Sequence, residues 1–159
     1  MLNISIGGVY RQDGLRSVAT EHVSPNQELR ARAVDAESMP RLWKAQCAFV
    51  SAEILRQENN LDCAANRYYY ALLHAARQCV GEDEELGEEL DHGGLVRLFT
   101  KRYDDQAWPA ITRAQMARNR GDYTPHPVRD ATIASLVMPV ARVLLRVMDR
   151  LGISREGAT

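Results

Sequence analysis

Residues 61–79, LDCAANRYYYALLHAARQC, decide the fold class. Leu61, Ala65, Tyr68 or Tyr69, Leu72, Ala76 and Cys79 recur at three- and four-residue intervals, the signature of one apolar helical face. Alanine is dense in the interior of this run, favouring helix and allowing a neighbouring helix to come close. Three consecutive tyrosines cannot share a face, because each residue turns the helix by about 100°. At least one hydroxyl therefore needs water or a polar partner.

Working outward, the same period recurs on both sides. Upstream, Ser38 is an N-cap candidate with Pro40 just inside the first turn, and Trp43, Cys47, Val50 and Ile54 form an apolar face that ends at Asn59-Asn60. Downstream, helices are expected from Gly93 to about Tyr103, with Leu95, Leu98 and Phe99 inward, and from about Trp108 to Asp122 through Pro109. The prolines of GDYTPHP (121–127) stop the latter. The last helix is the clearest: Ile133, Leu136, Val137, Val140, Val143, Leu144, Val147 and Leu151 fit the amphipathic template over about five turns, with Pro139 a predicted kink.

Five helices with short connections predict an all-α, antiparallel four- or five-helix bundle over residues 39–152. Residues 1–38 read as a loosely packed N-terminal arm, with a short hairpin around Gly7-Gly8, and residues 153–159 as a flexible tail. The segment GEDEELGEELD (81–91) carries seven acids and no base and reads as a solvated connection.

At 159 residues, 45% hydrophobic and 26% charged, the chain has the size and composition of one folded domain. Its 20 Lys/Arg against 21 Asp/Glu exclude a chain built to coat nucleic acid, though not a local basic patch. No run of about 18 apolar residues and no cationic leader stand out, so a cytoplasmic protein with no membrane partner is expected. Cys47, Cys63 and Cys79, an odd number without a CxxC pair, are expected to be buried packing residues rather than disulfides or zinc ligands.

Two segments could carry chemistry. One is Asn66–Ala76, with Arg67 ahead of the tyrosines and His74 after them. The other is Arg118-Asn119-Arg120-Gly121-Asp122-Tyr123-Thr124-Pro125-His126. The guanidinium fork suits phosphate, and an imidazole titrates near neutrality. The plain structural alternative is that Asp122 pairs with one of the arginines at a polar helix end. Residues 101–150 hold nine Lys/Arg and five acids, a local +4, with Arg142, Arg146 and Arg150 on one helical stripe. Such a stripe is either a track for an RNA backbone or a solvated face.

Taken in order, NRYYYALLHAA, HGGLVRLF and RNRGDY resemble the HEPN superfamily, in the branch with S-R-x-Y-Y-A-hydrophobic-x-H-A-A, H-x-G-hydrophobic-x-x-hydrophobic-F and R-x-x-A-D-Y motifs. Arg67, Tyr69, Tyr70, Ala71 and His74 fall on the first, His92, Gly94 and Phe99 on the second, and Arg118, Asp122 and Tyr123 on the third. The resemblance spans about residues 40–150. It implies a helical bundle that dimerises, bringing two copies of the third motif to a shared cleft. It also implies a metal-independent endoribonuclease, with no cofactor, acting as toxin or effector in a toxin–antitoxin or antiviral defence system, often beside a nucleotidyltransferase antitoxin. In that chemistry the ribose 2′-OH attacks the adjacent phosphate, histidine moves the proton, and arginine holds the developing charge. The expected catalytic set is Arg118, His126, Asp122, Tyr123, Asn119 and Arg120; Arg67, Tyr69, Tyr70, His74 and Arg113 are expected to contact RNA or nucleotide.

The chain departs from the catalytic pattern at one position. Tyr123 occupies the histidine slot that follows Arg118 after four intervening residues, whereas Arg120 and His126 keep the ribonuclease spacing with prolines on both sides of the histidine. Both registers remain open in the sequence. The alternative function is a non-catalytic HEPN-like module that docks a nucleotidyltransferase or other partner and binds nucleotide or RNA.

Overall fold

The computed structural model describes residues 23–81 and 90–154, so the hairpin expected near Gly7-Gly8 and most of the acidic run 81–91 lie outside the described residues. Within them the fold is all-helical: α1 (Pro25–Ala31), α2 (Pro40–Gln57), α3 (Leu61–Val80), α4 (His92–Arg102), a 3-10 turn (Asp105–Ala107), α5 (Trp108–Tyr123) and α6 (Asp130–Arg150). The alanine-rich α3 is central and touches α2, α4, α5 and α6. Ala64, Ala65, Ala71, Ala75 and Ala76 are all fully buried, which lets these neighbours pack close to its backbone. Tyr68 and Phe49 meet edge to face at 5.7 Å in the same core. The Tyr68 hydroxyl donates to the buried carboxylate of Glu53, the polar partner that the tyrosine run requires.

Four expectations are corrected. First, α1 lies inside the stretch read as a loose arm. Ser24 and Gln27 form a reciprocal capping box, Leu29 is fully buried, and α1 packs on α6. Arg32, just beyond it, is buried; it donates to Glu28 at 2.6 Å, to the Ile153 carbonyl at 3.0 Å and to Asp149. That contact, and the packing of Ile153 on the core, tie down the beginning of the segment read as a flexible tail.

Second, α2 buries Leu42, Ala45, Phe49 and Ala52, whereas Trp43 and Ile54 are 42% and 49% exposed. The expected Trp43–Cys47–Val50–Ile54 face points mostly outward, because close approach to α3 selects the stripe richer in small side chains. Its N-cap is Met39 rather than Ser38. The helix ends as expected, with Asn59 in the left-handed region (φ 57°) that asparagine tolerates. Third, Cys79 is buried but Cys47 and Cys63 are exposed. Fourth, α6 is long and apolar enough to cross a membrane by length and composition, contrary to the expectation that nothing is. Half of that apolar window is buried inside the fold. The helix continues through Pro139.

Candidate functional site

The site forms where α5 packs on α3. On α3, Tyr69 and Tyr70 stand three and four residues beyond Asn66, each one helical turn from it. On α5, Arg118 and Asp122 are one turn apart on the edge of the buried face. The Arg118 guanidinium lies 5.1 Å from the Tyr69 ring centre and 5.4 Å from that of Tyr70, within cation–π range of both. Its Nε donates to Asp122 Oδ2 at 3.1 Å, and Asn66 Nδ2 donates to the same oxygen at 3.4 Å. Asp122 thus pairs with an arginine, as the plain structural reading of the segment has it, and also bridges α5 to α3.

Gly121 permits this approach. A Cβ there would stand 3.1 Å from the Asp62 Cβ, so the glycine lets the end of α5 close on α3. Asp62 Oδ1 in turn accepts the Val128 N–H at 2.8 Å, fixing the path of the chain after α5.

Electrostatically the cluster is biased toward a charged arginine beside a neutral Tyr69. Burial works against the Arg118 charge, but Tyr70, Asp122 and Tyr123 outweigh it and its pKa is raised. Burial, reinforced by Tyr70 and opposed by Arg118, raises the Tyr69 pKa, so its hydroxyl keeps its proton. A guanidinium has five N–H donors, so the bond to Asp122 leaves capacity to bind a phosphate oxygen.

The expected site residues divide into separate groups. Arg118, Asp122, Tyr69 and Tyr70 come together, and His74 stands beside Tyr70 with ring centres 6.3 Å apart. Arg67 is exposed and borders a groove of about 610 Å³ that also includes Asn66, Gly121 and Asp122. Asn119, Arg120, Tyr123 and Arg113 are exposed on the other side of α5, rotated by about 100–220° from Arg118 at 100° per residue. The Arg120/His126 register is not helical: α5 ends at Tyr123, Thr124 is extended, and His126 is exposed on the loop, its N–H donating to Thr124 Oγ1 at 3.4 Å. Flanking prolines account for that ending.

Two further residues join the site. Asn66 belongs to the same α3 face and was legible from its spacing to Tyr69 and Tyr70. His92, the first residue of α4, places its ring 6.3 Å from Tyr69 and 6.5 Å from Tyr70. Its position depends on Asp91, which caps α4 by accepting from Gly94 N at 2.6 Å. The α6 stripe is largely engaged locally: Arg146 pairs with Asp104 at 2.8 Å and Arg150 lies 4.8 Å from the Tyr103 ring centre. Among the described residues no three His, Cys, Asp or Glu side chains gather as a metal site.

Fold and site thus define an all-helical domain with an Arg–Asp–Tyr–Tyr cluster between two helices. Compared with known proteins, the chain matches no family model, no curated protein and no solved structure.

Proposed function

We propose that this chain is a HEPN-like antiparallel bundle that binds RNA or nucleotide phosphate at Arg118 as the cytoplasmic toxin, effector or adaptor component of a toxin–antitoxin or defence system. The observation that carries this reading is the mounting of Arg118: a buried-edge guanidinium anchored by Asp122 and laid across two tyrosine rings. Such a guanidinium is already oriented, so little side-chain entropy is lost when it meets phosphate. The exposed, off-helix position of His126 favours binding over histidine-driven cleavage from that residue. A nucleotidyltransferase or a second copy of the chain is the partner this reading entails.

The test is titration of the purified protein with a mononucleotide and a single-stranded oligoribonucleotide, with EDTA present, while strand integrity is followed. Binding without cleavage is expected. Arg118→Ala should weaken mononucleotide binding about tenfold, or about 1.4 kcal/mol. Arg118→Lys should recover only part of the loss, because lysine keeps the charge but not the planar fork. Unchanged binding by Arg118→Ala overturns the assignment.

A metal-independent endoribonuclease is the second reading, favoured by one observation. His92 and Arg118 border the same pair of tyrosine rings, which gives an imidazole and a guanidinium a common surface. Cleavage in EDTA that disappears with His92→Ala, while binding persists, would establish this reading over the first.

A further inference from the structure

A second groove runs along the outer surface between α2 and α3, with a volume of about 440 Å³ and a lining of Lys44, Cys47, Ala48, Ser51, Arg67, Tyr70 and His74. Tyr70 belongs to both places: one of its neighbours is the Arg118 guanidinium, and it also forms a wall of this groove. Arg67 likewise borders this groove and the one beside Asp122. On α3, Arg67, Tyr70, His74 and Arg77 follow at intervals of three, four and three residues, a single stripe about 15 Å long at 1.5 Å per residue.

The charge of the two grooves sets a direction. The groove lined by Asn66, Arg67 and Gly121 also holds Asp62 and Asp122, two carboxylates against one cation. The α2–α3 groove presents Lys44 and Arg67 and, among its described lining residues, no carboxylate. Arg41 and Arg77 add to the positive field at His74; together with burial, which is the larger cause, and Lys44, they lower its pKa. His74 therefore offers a neutral ring beside the Tyr70 ring, 6.3 Å away and tilted by 35°. Beyond Cys47 and Ser51, which this groove shares with the next, Trp43 is 42% exposed. Cations along a groove with interleaved aromatic rings are the recurring platform for single strands: charge follows the backbone and rings accept bases.

We propose that the α2–α3 groove carries a single strand of RNA onward from the Arg118 site, with Tyr70 as the shared wall, Lys44 and Arg67 on the phosphates, and Tyr70 and His74 available to the bases. This rests on the nucleotide-binding role proposed for Arg118. A second copy docked symmetrically would set Lys44 and Arg67 against cations of the same kind. A partner helix would want large aliphatic side chains to pack on, where this groove offers only Cys47, Ala48 and Ser51 between the Lys44 and Arg67 cations and the two rings. Charge complementarity thus selects a polyanionic strand.

The test compares a mononucleotide with a single-stranded oligoribonucleotide of roughly ten nucleotides, titrated at several salt concentrations. Lys44 is exposed and outside the Arg118 cluster, so Lys44→Ala and Lys44→Glu are the variants, with thermal unfolding as the check on folding. Lys44→Glu should weaken the oligonucleotide about tenfold or more and leave the mononucleotide unchanged. Lys44→Ala should reduce the slope of log affinity against log salt by about 0.7, one phosphate contact. If both variants bind the oligonucleotide as wild type does while Arg118→Ala does not, the groove proposal is overturned, the Arg118 reading stands, and the groove reverts to a protein partner. If the wild-type protein binds neither ligand, both fall together.

Discussion

Single residues in this molecule are governed by what burial does to their charge. His74 is the instructive case. Burial first, and then the charges of Lys44, Arg77 and Arg41, hold its imidazole below its ordinary pKa of 6.5. The unfolded chain takes up a proton there that the folded chain resists, so the unfolded state binds more protons between the two pKa values. The stability contributed is whole above about pH 6.5 and is lost as pH falls through that value toward the folded pKa. The urea midpoint of the wild type should therefore decline between about pH 7 and pH 5 more steeply than that of His74→Gln. Parallel declines would remove His74 from the account. Tyr68 shows the same rule from the other side: burial, with the Glu53 carboxylate it donates to, raises its pKa far above the ordinary phenol range. That hydroxyl keeps its proton and remains a donor to Glu53.

At the scale of elements, α1 shows why a short helix escapes a periodicity reading. Seven residues with one buried leucine give no repeating apolar interval. The legible sign was instead local, Ser24 with Gln27 three residues on, the pattern that satisfies two orphan N–H groups. Ser24→Ala should cost about 1 kcal/mol of stability, and Leu29→Ala about 2–5 kcal/mol, both measured as shifts in the denaturant midpoint at unchanged slope. Equal small effects would mean that α1 is an appendage rather than part of the core. In α2 the period was legible but the face was not. Leu42, Ala45, Phe49 and Ala52 and the stripe Trp43, Cys47, Val50 and Ile54 are both helical patterns, separated by about 150°. Hydropathy favours the second because it contains tryptophan; α3 buries the first because its own surface is alanine and needs close approach. The helices α3, α4, α5 and α6 were read to within about two or three residues, since each has a long stripe or a proline boundary. The Arg118–Asp122 pair was legible from its spacing of four. The exclusion of His126 was legible only as an open choice, because two prolines fix where α5 ends but not where the loop goes.

At the scale of the whole molecule, the formal charge of −1 averages an acidic connection (81–91) against a basic stretch (101–150). On α6, Arg146 and Arg150 are engaged with Asp104 and the Tyr103 ring, while Lys44 and Arg67 line the groove between α2 and α3. A different face carries exposed apolar side chains. Trp108, Met116 and Tyr123, on α5, are 51%, 67% and 74% exposed. At 100° per residue they fall within a sector of about 80°, together with Asn119. Three large apolar side chains on one stripe of an amphipathic helix are what a contact between helices would cover. The sequence resemblance also implies that this segment faces its copy in a dimer. Stable association requires about 800 Å² from each partner, so a contact here must extend past α5 itself to neighbouring surface. Sedimentation should then show a dimer for the wild type and a monomer for Met116→Asp, whereas Lys44→Glu, on another face, stays dimeric. Arg118 lies on the buried edge of α5 and not on this stripe, so the monomeric Met116→Asp protein should keep its mononucleotide affinity. A wild type that sediments as a monomer removes the assembly role of the stripe. A Met116→Asp protein that is monomeric and has also lost its nucleotide would mean that the second copy completes the site.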